Sequence, residues 1–323
     1  MRGMLAQLVD AIPGATLIGA DVAFDGVSTD SRKVEGGALF VALRGETFDA
    51  HDFLDQVAAR GVAAVVVSRV PDGWTLPAIV VPDTLVALGR IAHVWRAGFD
   101  IPLIGVTGSN GKTTVKEMIA SILAAAVGED ARLATQGNLN NEIGVPLTLF
   151  RLGSRHRAAV VELGMNHPGE IGRLAAIATP SVGLVNNAQR EHQEFMHTVE
   201  AVARENGAVL EALPADGVAV FPGDDTFTEL WRGMAGGQGH QQFFLVDGGA
   251  HQGGVRVQAR RGPGDQGGVQ GVGQHLLGQQ ARGAGAHVQL QIGPLRMQPR
   301  QRLGQARGGG AFRPADHPHH LVE

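Results

Sequence analysis

Apolar positions along the chain fall into short strand-like runs that alternate with stretches of helical spacing. Between residues 1 and 98, residues 37–43 and 63–67 are β-type runs, and residues 53–59 repeat with a helical period. A further run at 79–81 is followed by a helical pattern over residues 84–95. Repeated strand-then-helix order predicts a small α/β domain over residues 1–98. Residues 100–102 read as a hinge into a second unit.

From Leu103 the pattern sharpens. An apolar strand over 103–106 enters a glycine-bearing loop, and Val115, Met118, Ile119, Ile122, Leu123 and Ala126 then recur at helical spacing. Further buried-strand runs stand at 158–161, 182–185 and 217–220, with helical stretches at 170–178 and 199–213 between them. Apolar strands separated by helices predict a mainly parallel sheet, hence a mononucleotide-binding α/β domain over residues 99–235. The fold class expected is therefore α/β, with a small N-terminal α/β domain, a phosphate-loop domain and an irregular tail.

The tail is read from composition. Residues 236–323 hold 21 Gly and 15 Gln in 88 positions, with no Lys and a single Glu, Glu323. Such a segment predicts a poorly ordered tail, and the abrupt break also fits an out-of-frame reading of a GC-rich gene. The whole chain of 323 residues is long enough for two or three cores, and its net charge of -4 gives no basic excess that would hold nucleic acid. It has no cysteine, which excludes disulfides and thiolate metal sites. No apolar run reaches the length of a spanning helix, and Pro13 and Asp10 interrupt the N-terminal segment where a signal peptide needs an unbroken one. A cytoplasmic, monomeric protein is expected.

Lysine occurs only at 33, 112 and 116, the other basic residues being arginine. Lys112 closes the loop Thr107-Gly108-Ser109-Asn110-Gly111-Lys112-Thr113-Thr114. Gly108 and Gly111 let backbone N–H groups approach phosphate oxygens, the following helix presents its positive end, and Lys112 adds a mobile charge. Thr113, the first hydroxyl after the lysine, is placed to ligate Mg²⁺. The usual first glycine of such loops is replaced by Val106, giving a G-x-x-G-K-T-T variant. Glu162 ends an apolar strand, on the side where α/β sheets open their ligand crevice, and suits Mg²⁺. His192, after the strand that ends at Asn186 and Asn187, falls on the same side. Three amides, Asn138, Asn140 and Asn141, sit between Gly137 and Gly144 and could hold a sugar, a phosphate or a peptide. In the first domain, Ser31 and Arg32 lie in a loop before a strand, and the run from Phe48 to Phe53 precedes a helix; Arg32 could bind a diphosphate.

Together these stretches resemble the Mur ligase family, ATP-dependent amide-forming enzymes of peptidoglycan synthesis, over roughly residues 10–230. Residues 107–114 meet the family's T-G-[ST]-N-G-K-T-[ST] at every position. Residues 137–146 and 162–171 look most like the branch that adds D-alanyl-D-alanine to UDP-N-acetylmuramoyl-tripeptide. The resemblance implies ATP and Mg²⁺ as cofactors and an acyl-phosphate intermediate. It implies Lys112, His192 and Asn141 as catalytic, and Gly108, Ser109, Asn110, Gly111, Lys112, Thr113, Thr114 and Asn138 as nucleotide-binding. Thr113, Glu162 and His192 become metal ligands, and Ser31 and Arg32 belong to a uridine-diphosphate site. Two departures follow. Where the family carries a modified lysine, this chain reads Glu205-Asn206-Gly207-Ala208, so Glu205 or a neighbour supplies the charge or a second cation is held more weakly. The family's third domain is not recognisable, which predicts little or no ligase activity.

Overall fold

The computed structural model describes residues 1–190, 196, 198–236, 242–247 and 256–260. The first unit is built on a five-stranded sheet. Its strands are β2 (Thr16–Ile18), β4 (Val27–Ser28), β5 (Leu39–Val41), β6 (Ala64–Val67) and β7 (Ala78–Val80), in the order β2-β7-β6-β5-β4. Pairing is parallel from β4 to β7, with β2 antiparallel at the edge. A small ribbon of β1 (Arg2–Met4) and β3 (Ala23–Asp25) flanks it.

Strands β5 and β6 are buried along their whole length, so successive side chains feed two cores. Leu39, Val41, Ala64 and Val66 enter one core; Phe40, Val65 and Val67 enter the other. Helix α1 (Leu5–Val9) adds Leu5 and Leu8 to the first, and helix α2 (Leu54–Ala59) adds Leu54 and Val57 to the second. Continuous apolar runs rather than alternating ones are what a parallel sheet covered on both faces requires.

Helix α3 (Thr84–Ala97) joins the two units. Asp83 caps it, its carboxylate accepting the Leu85 and Val86 N–H groups at 2.7 and 3.0 Å. Leu88, Ile91 and Trp95 belong to the same core as Leu149, Leu174 and Ala178 of the second unit. Trp95 Nε1 donates to the Leu152 carbonyl at 3.2 Å, and the buried Arg96 donates to the Ala178 and Ile101 carbonyls at 3.2 and 3.1 Å. The segment read as a hinge is thus roofed by a helix whose polar groups are tied to the second unit.

The second unit carries a seven-stranded sheet: β8 (Leu103–Thr107), β9 (Arg132–Ala134), β10 (Ala158–Glu162), β11 (Val182–Val185), β12 (Val218–Pro222), β13 (Gln242–Asp247) and β14 (Arg256–Arg260). The order is β14-β13-β12-β11-β8-β10-β9, parallel throughout except for β14. Helix α4 (Lys112–Val127) packs on β9 and β10, where Ala120 meets Val106, Ala134 and Val160. Among the described residues the unit also carries helices α5 (Gly144–Leu149), α6 (Glu170–Ala178), α7 (Val199–Glu211) and α8 (Thr228–Gly236). Leu174, Val209 and Trp231, from α6, α7 and α8, lie in the core shared with α3. Among the described residues no helix is long and apolar enough to cross a membrane.

Strands β13 and β14 come from beyond residue 235, where composition predicts no regular element. The run Gln242-Phe243-Phe244-Leu245-Val246-Asp247 is β-type, but averaging over a Gly- and Gln-rich stretch hides it. The rest of the sequence-predicted tail lies outside the described residues.

Candidate functional site

The order of the sheet decides where a site can form. Strand β8 lies between β10 and β11, and the chain crosses from one side of β8 to the other. A crevice therefore opens at the carboxyl end of β8, bounded by the ends of β10 and β11. The loop after Thr107, the carboxylate of Glu162 and the amides Asn186 and Asn187 all converge there.

Backbone conformation explains the two loop glycines. Gly108 has φ +139°, and a Cβ at that position would fall 2.9 Å from Asn186 Cβ. Gly111 has φ 72°, in the left-handed region, and caps α4. The outer part of the loop is bound to its surroundings at nearly every polar atom. The Gly108 N–H donates to Asn206 Oδ1 at 3.0 Å, and Thr107 Oγ1 donates to the Asn206 carbonyl at 2.9 Å. The Ser109 N–H donates to the Asn187 carbonyl at 3.2 Å, and the Asn110 N–H to Asn187 Oδ1 at 3.0 Å. The Asn110 carbonyl accepts from Asn186 Nδ2 at 2.6 Å and Asn187 Nδ2 at 3.0 Å. Ser109 Oγ accepts the Gln189 N–H at 2.8 Å, and Asn110 Nδ2 donates to Gln189 Oε1 at 2.7 Å.

The inner part of the loop is the start of α4. The first i to i+4 bond of the helix runs from the Val115 N–H to the Gly111 carbonyl at 2.9 Å, so the N–H groups of Lys112, Thr113 and Thr114 precede the ladder. Those donors, with the helix dipole, are suited to an anion. Lys112 Nζ lies over the loop, 2.5 Å from the Gly108 carbonyl and 3.3 Å from that of Ser109.

A second, acidic half adjoins it. Glu162 is 2% exposed at the end of β10. Its Oε2 accepts from Thr113 Oγ1 at 3.0 Å and its Oε1 from Asn140 Nδ2 at 2.9 Å. The Glu162 N–H donates to Thr135 Oγ1 at 3.0 Å. Among the described residues there is no cluster of three His, Cys, Asp or Glu, so an all-protein cage is not formed. One carboxylate and one hydroxyl beside the glycine-bearing loop instead suit a hard cation that keeps water.

The three amides of the Asn-rich loop separate in the structure. Asn140 reaches Glu162; Asn141 Oδ1 accepts the Ile143 and Gly144 N–H groups at 3.2 and 2.8 Å and so holds the start of α5; Asn138 is exposed. The family resemblance assigns roles to Asn138 and Asn141 and none to Asn140, whose partner Glu162 stands 22 residues away. His192 lies outside the described residues.

Glu205 is turned to another task. Its two oxygens accept the Gly169 and Ile171 N–H groups, each at 2.8 Å, at the N-terminus of α6. Its neighbour Asn206 is 1% exposed and carries the loop contacts described above, with Nδ2 buried and unpartnered.

In the first unit, Ser31 is buried and Arg32 is exposed. Arg32 grips Asp30 through Nε and Nη2, both at 2.9 Å, and this holds the Asp30 carboxyl down to about 2. The predicted run from Phe48 holds a third cluster. His51 Nδ1 faces Asp49 Oδ1 at 2.6 Å, and the Ser68 N–H donates to His51 Nε2 at 2.9 Å, with Ser68 Oγ at 3.1 Å. Those residue types suggest a hydrolytic triad, but the Ser68 N–H already occupies the one lone pair of Nε2. The buried ring is a cross-link between the helix start and the end of β6.

Sequence comparison fits this geometry. The profile of the Mur ligase middle domain matches residues 106–261, and that of the Mur ligase family catalytic domain matches residues 23–96. The UDP-N-acetylmuramoyl-tripeptide--D-alanyl-D-alanine ligase of Escherichia coli K12 is 44% identical over 232 residues, 72% of this chain and 50% of that protein. A crystal structure of MurF from Acinetobacter baumannii superposes with a TM-score of 0.69 at 33% identity, covering 81% of this chain and 59% of its own. The MurF ligase of Thermotoga maritima in complex with ADP gives a TM-score of 0.61 at 26% identity, covering 72% of this chain and 55% of its own. The chain thus spans about half the length of the curated relatives it matches.

Proposed function

Because the chain belongs to the Mur ligase family, we propose that it carries the UDP-sugar and nucleotide units of an ATP-dependent ligase joining D-alanyl-D-alanine to UDP-N-acetylmuramoyl-tripeptide. The observation that carries this reading is the pairing of Thr113 with the buried Glu162 beside the G-x-x-G-K loop. The 44% identity to a ligase of that name supports the choice of substrates.

The chemistry asks for positioning and charge neutralisation more than for proton transfer. The N–H groups opening α4 and the Lys112 ammonium hold the β- and γ-phosphates of ATP, with Lys112 leaving the loop carbonyls it faces in the structure. Thr113 and Glu162 would hold Mg²⁺, with His192 assigned to a second cation; when bound, the metal neutralises phosphate charge and orients the transfer. The terminal carboxylate of the UDP-linked peptide attacks the γ-phosphorus and ADP leaves. The amine of D-alanyl-D-alanine then attacks the acyl carbon, phosphate leaves, and the amine proton passes to solvent. Asn140 keeps the Glu162 carboxylate facing Thr113, Asn138 and Asn141 orient phosphate or substrate, and Ser31 and Arg32 serve the uridine diphosphate. The reading places the protein in the cytoplasm, where its nucleotide substrates are.

Phosphate release from ATP that requires both UDP-N-acetylmuramoyl-tripeptide and D-alanyl-D-alanine is the expected result. Release that ignores either substrate would reject the assignment. Nucleotide and UDP-sugar binding without release would instead identify a binding protein built from the same two units.

A further inference from the structure

Lys116 is one of three lysines in the chain, and its side chain is buried in the second unit, 0% exposed on the sheet-facing side of α4. One turn later the same face carries Ala120, packed against Val106, Ala134 and Val160. An apolar residue would fill the Lys116 position with no charge to desolvate, and a buried ammonium is costly unless it is paired. It is paired twice: Nζ donates to the Glu117 carboxylate and, at 3.0 Å, to the Thr135 carbonyl.

Thr135 is the first residue after β9, and it uses both of its polar oxygens. The carbonyl receives Lys116, and the hydroxyl receives the Glu162 N–H at 3.0 Å. Glu162 in turn accepts from Thr113 Oγ1, and Thr113 lies one turn before Lys116 on α4. The bonds therefore close a ring: Thr113, Glu162, Thr135, Lys116 and back along the helix. The ring ties the helix that starts at the phosphate loop to the ends of two strands, β9 and β10.

We propose that Lys116 is a positioning residue for the cation half of the site, holding Thr135 so that the Glu162 carboxylate stays opposite Thr113. The inference rests on the nucleotide–metal reading of that site. It assigns Lys116 no contact with substrate; the charge acts through Thr135 and Glu162.

The test uses the full chain and two variants, Lys116→Met and Thr135→Val, the second keeping the carbonyl while removing the hydroxyl that accepts from Glu162. The readout is the Mg²⁺ concentration at half-maximal ADP binding, measured by calorimetry alongside ADP binding in EDTA. Both variants should need about tenfold more Mg²⁺, as removal of outer-sphere support does elsewhere, with metal-free ADP affinity little changed. A purely structural lysine would lower the melting temperature and leave the Mg²⁺ midpoint where it was, and that result would overturn the proposal. If Lys116→Met does not fold, Lys116→Leu is read by the same criterion, because Thr135→Val leaves the carbonyl that Lys116 bonds in place. Wild-type chain that binds ADP without any Mg²⁺ dependence would overturn the site reading and this inference together; Mg²⁺-dependent wild type with unshifted variants overturns only the inference.

Discussion

Asn187 holds Asn110 as a neighbouring strand would, accepting its N–H through Oδ1 and donating to its carbonyl through Nδ2, both at 3.0 Å. The carbonyl of Asn187 also takes the Ser109 N–H. Asn187, just past β11, therefore ties down the outer half of the loop together with Asn186, Gln189 and Asn206, and leaves the start of α4 clear of these bonds. Each such hydrogen bond contributes about 0.5–1.5 kcal/mol net. Asn187→Ala removes the two side-chain bonds, and the loop must then be ordered when nucleotide binds. ADP affinity measured by calorimetry should fall about tenfold, which is about 1.4 kcal/mol. Unchanged affinity would mean that the loop is held by Asn186, Gln189 and Asn206 without it.

Glu205 gives a prediction of opposite kind. Its carboxylate accepts two N–H groups at the positive end of α6, a helix that packs against α3 and α7. Glu205→Ala should cost about 1–2 kcal/mol in a urea titration, the range for losing a helix cap with its favourable dipole contact. The Mg²⁺ midpoint for ADP binding should not move, because both oxygens are already engaged at the helix. A raised midpoint would instead give Glu205 the cation-holding role that its sequence position suggested.

The first unit carries a pH signature. Burial raises the Asp49 pKa, but the His51 N–H, the His51 ring and Arg69 outweigh it and bring the carboxyl down from 3.8 to about 2. A carboxylate depressed in the folded state adds stability above its unfolded pKa and loses it as pH falls through the folded one. The contribution of Asp49 should thus be fully present above about pH 4 and fade towards pH 2. Asp49→Asn should be less stable than wild type at pH 7 in urea melts, with the gap closing over that acid range. A gap that persists at the acid end would place the effect in packing around His51 rather than in charge.

Much of this architecture was legible because its strands are buried on both faces. Runs such as Val65-Val66-Val67 and Ala158-Ala159-Val160-Val161 are apolar without interruption, and they stand out from any helical pattern. The loop was legible because contiguous residues build it. Short edge elements were not: β2, β4 and β9 have two or three residues each and carry no periodicity. The site's partners were hidden for another reason, since Asn140 with Glu162, Thr135 with Lys116 and Asn206 with Gly108 meet only through the order of the sheet. No local spacing encodes such pairs.

On the proposed function, the crevice at the end of β8 holds a nucleotide together with a cation, through Lys112 on one side and Glu162 on the other. Calorimetric titration of the full chain with ADP, with and without Mg²⁺, tests it most directly when repeated on Lys112→Ala and Glu162→Gln. Lys112→Ala should weaken binding with or without the metal, while Glu162→Gln should remove most of the gain from Mg²⁺ and leave metal-free binding near wild type. Equal Mg²⁺ gains in wild type and Glu162→Gln, or full binding by Lys112→Ala, would contradict it.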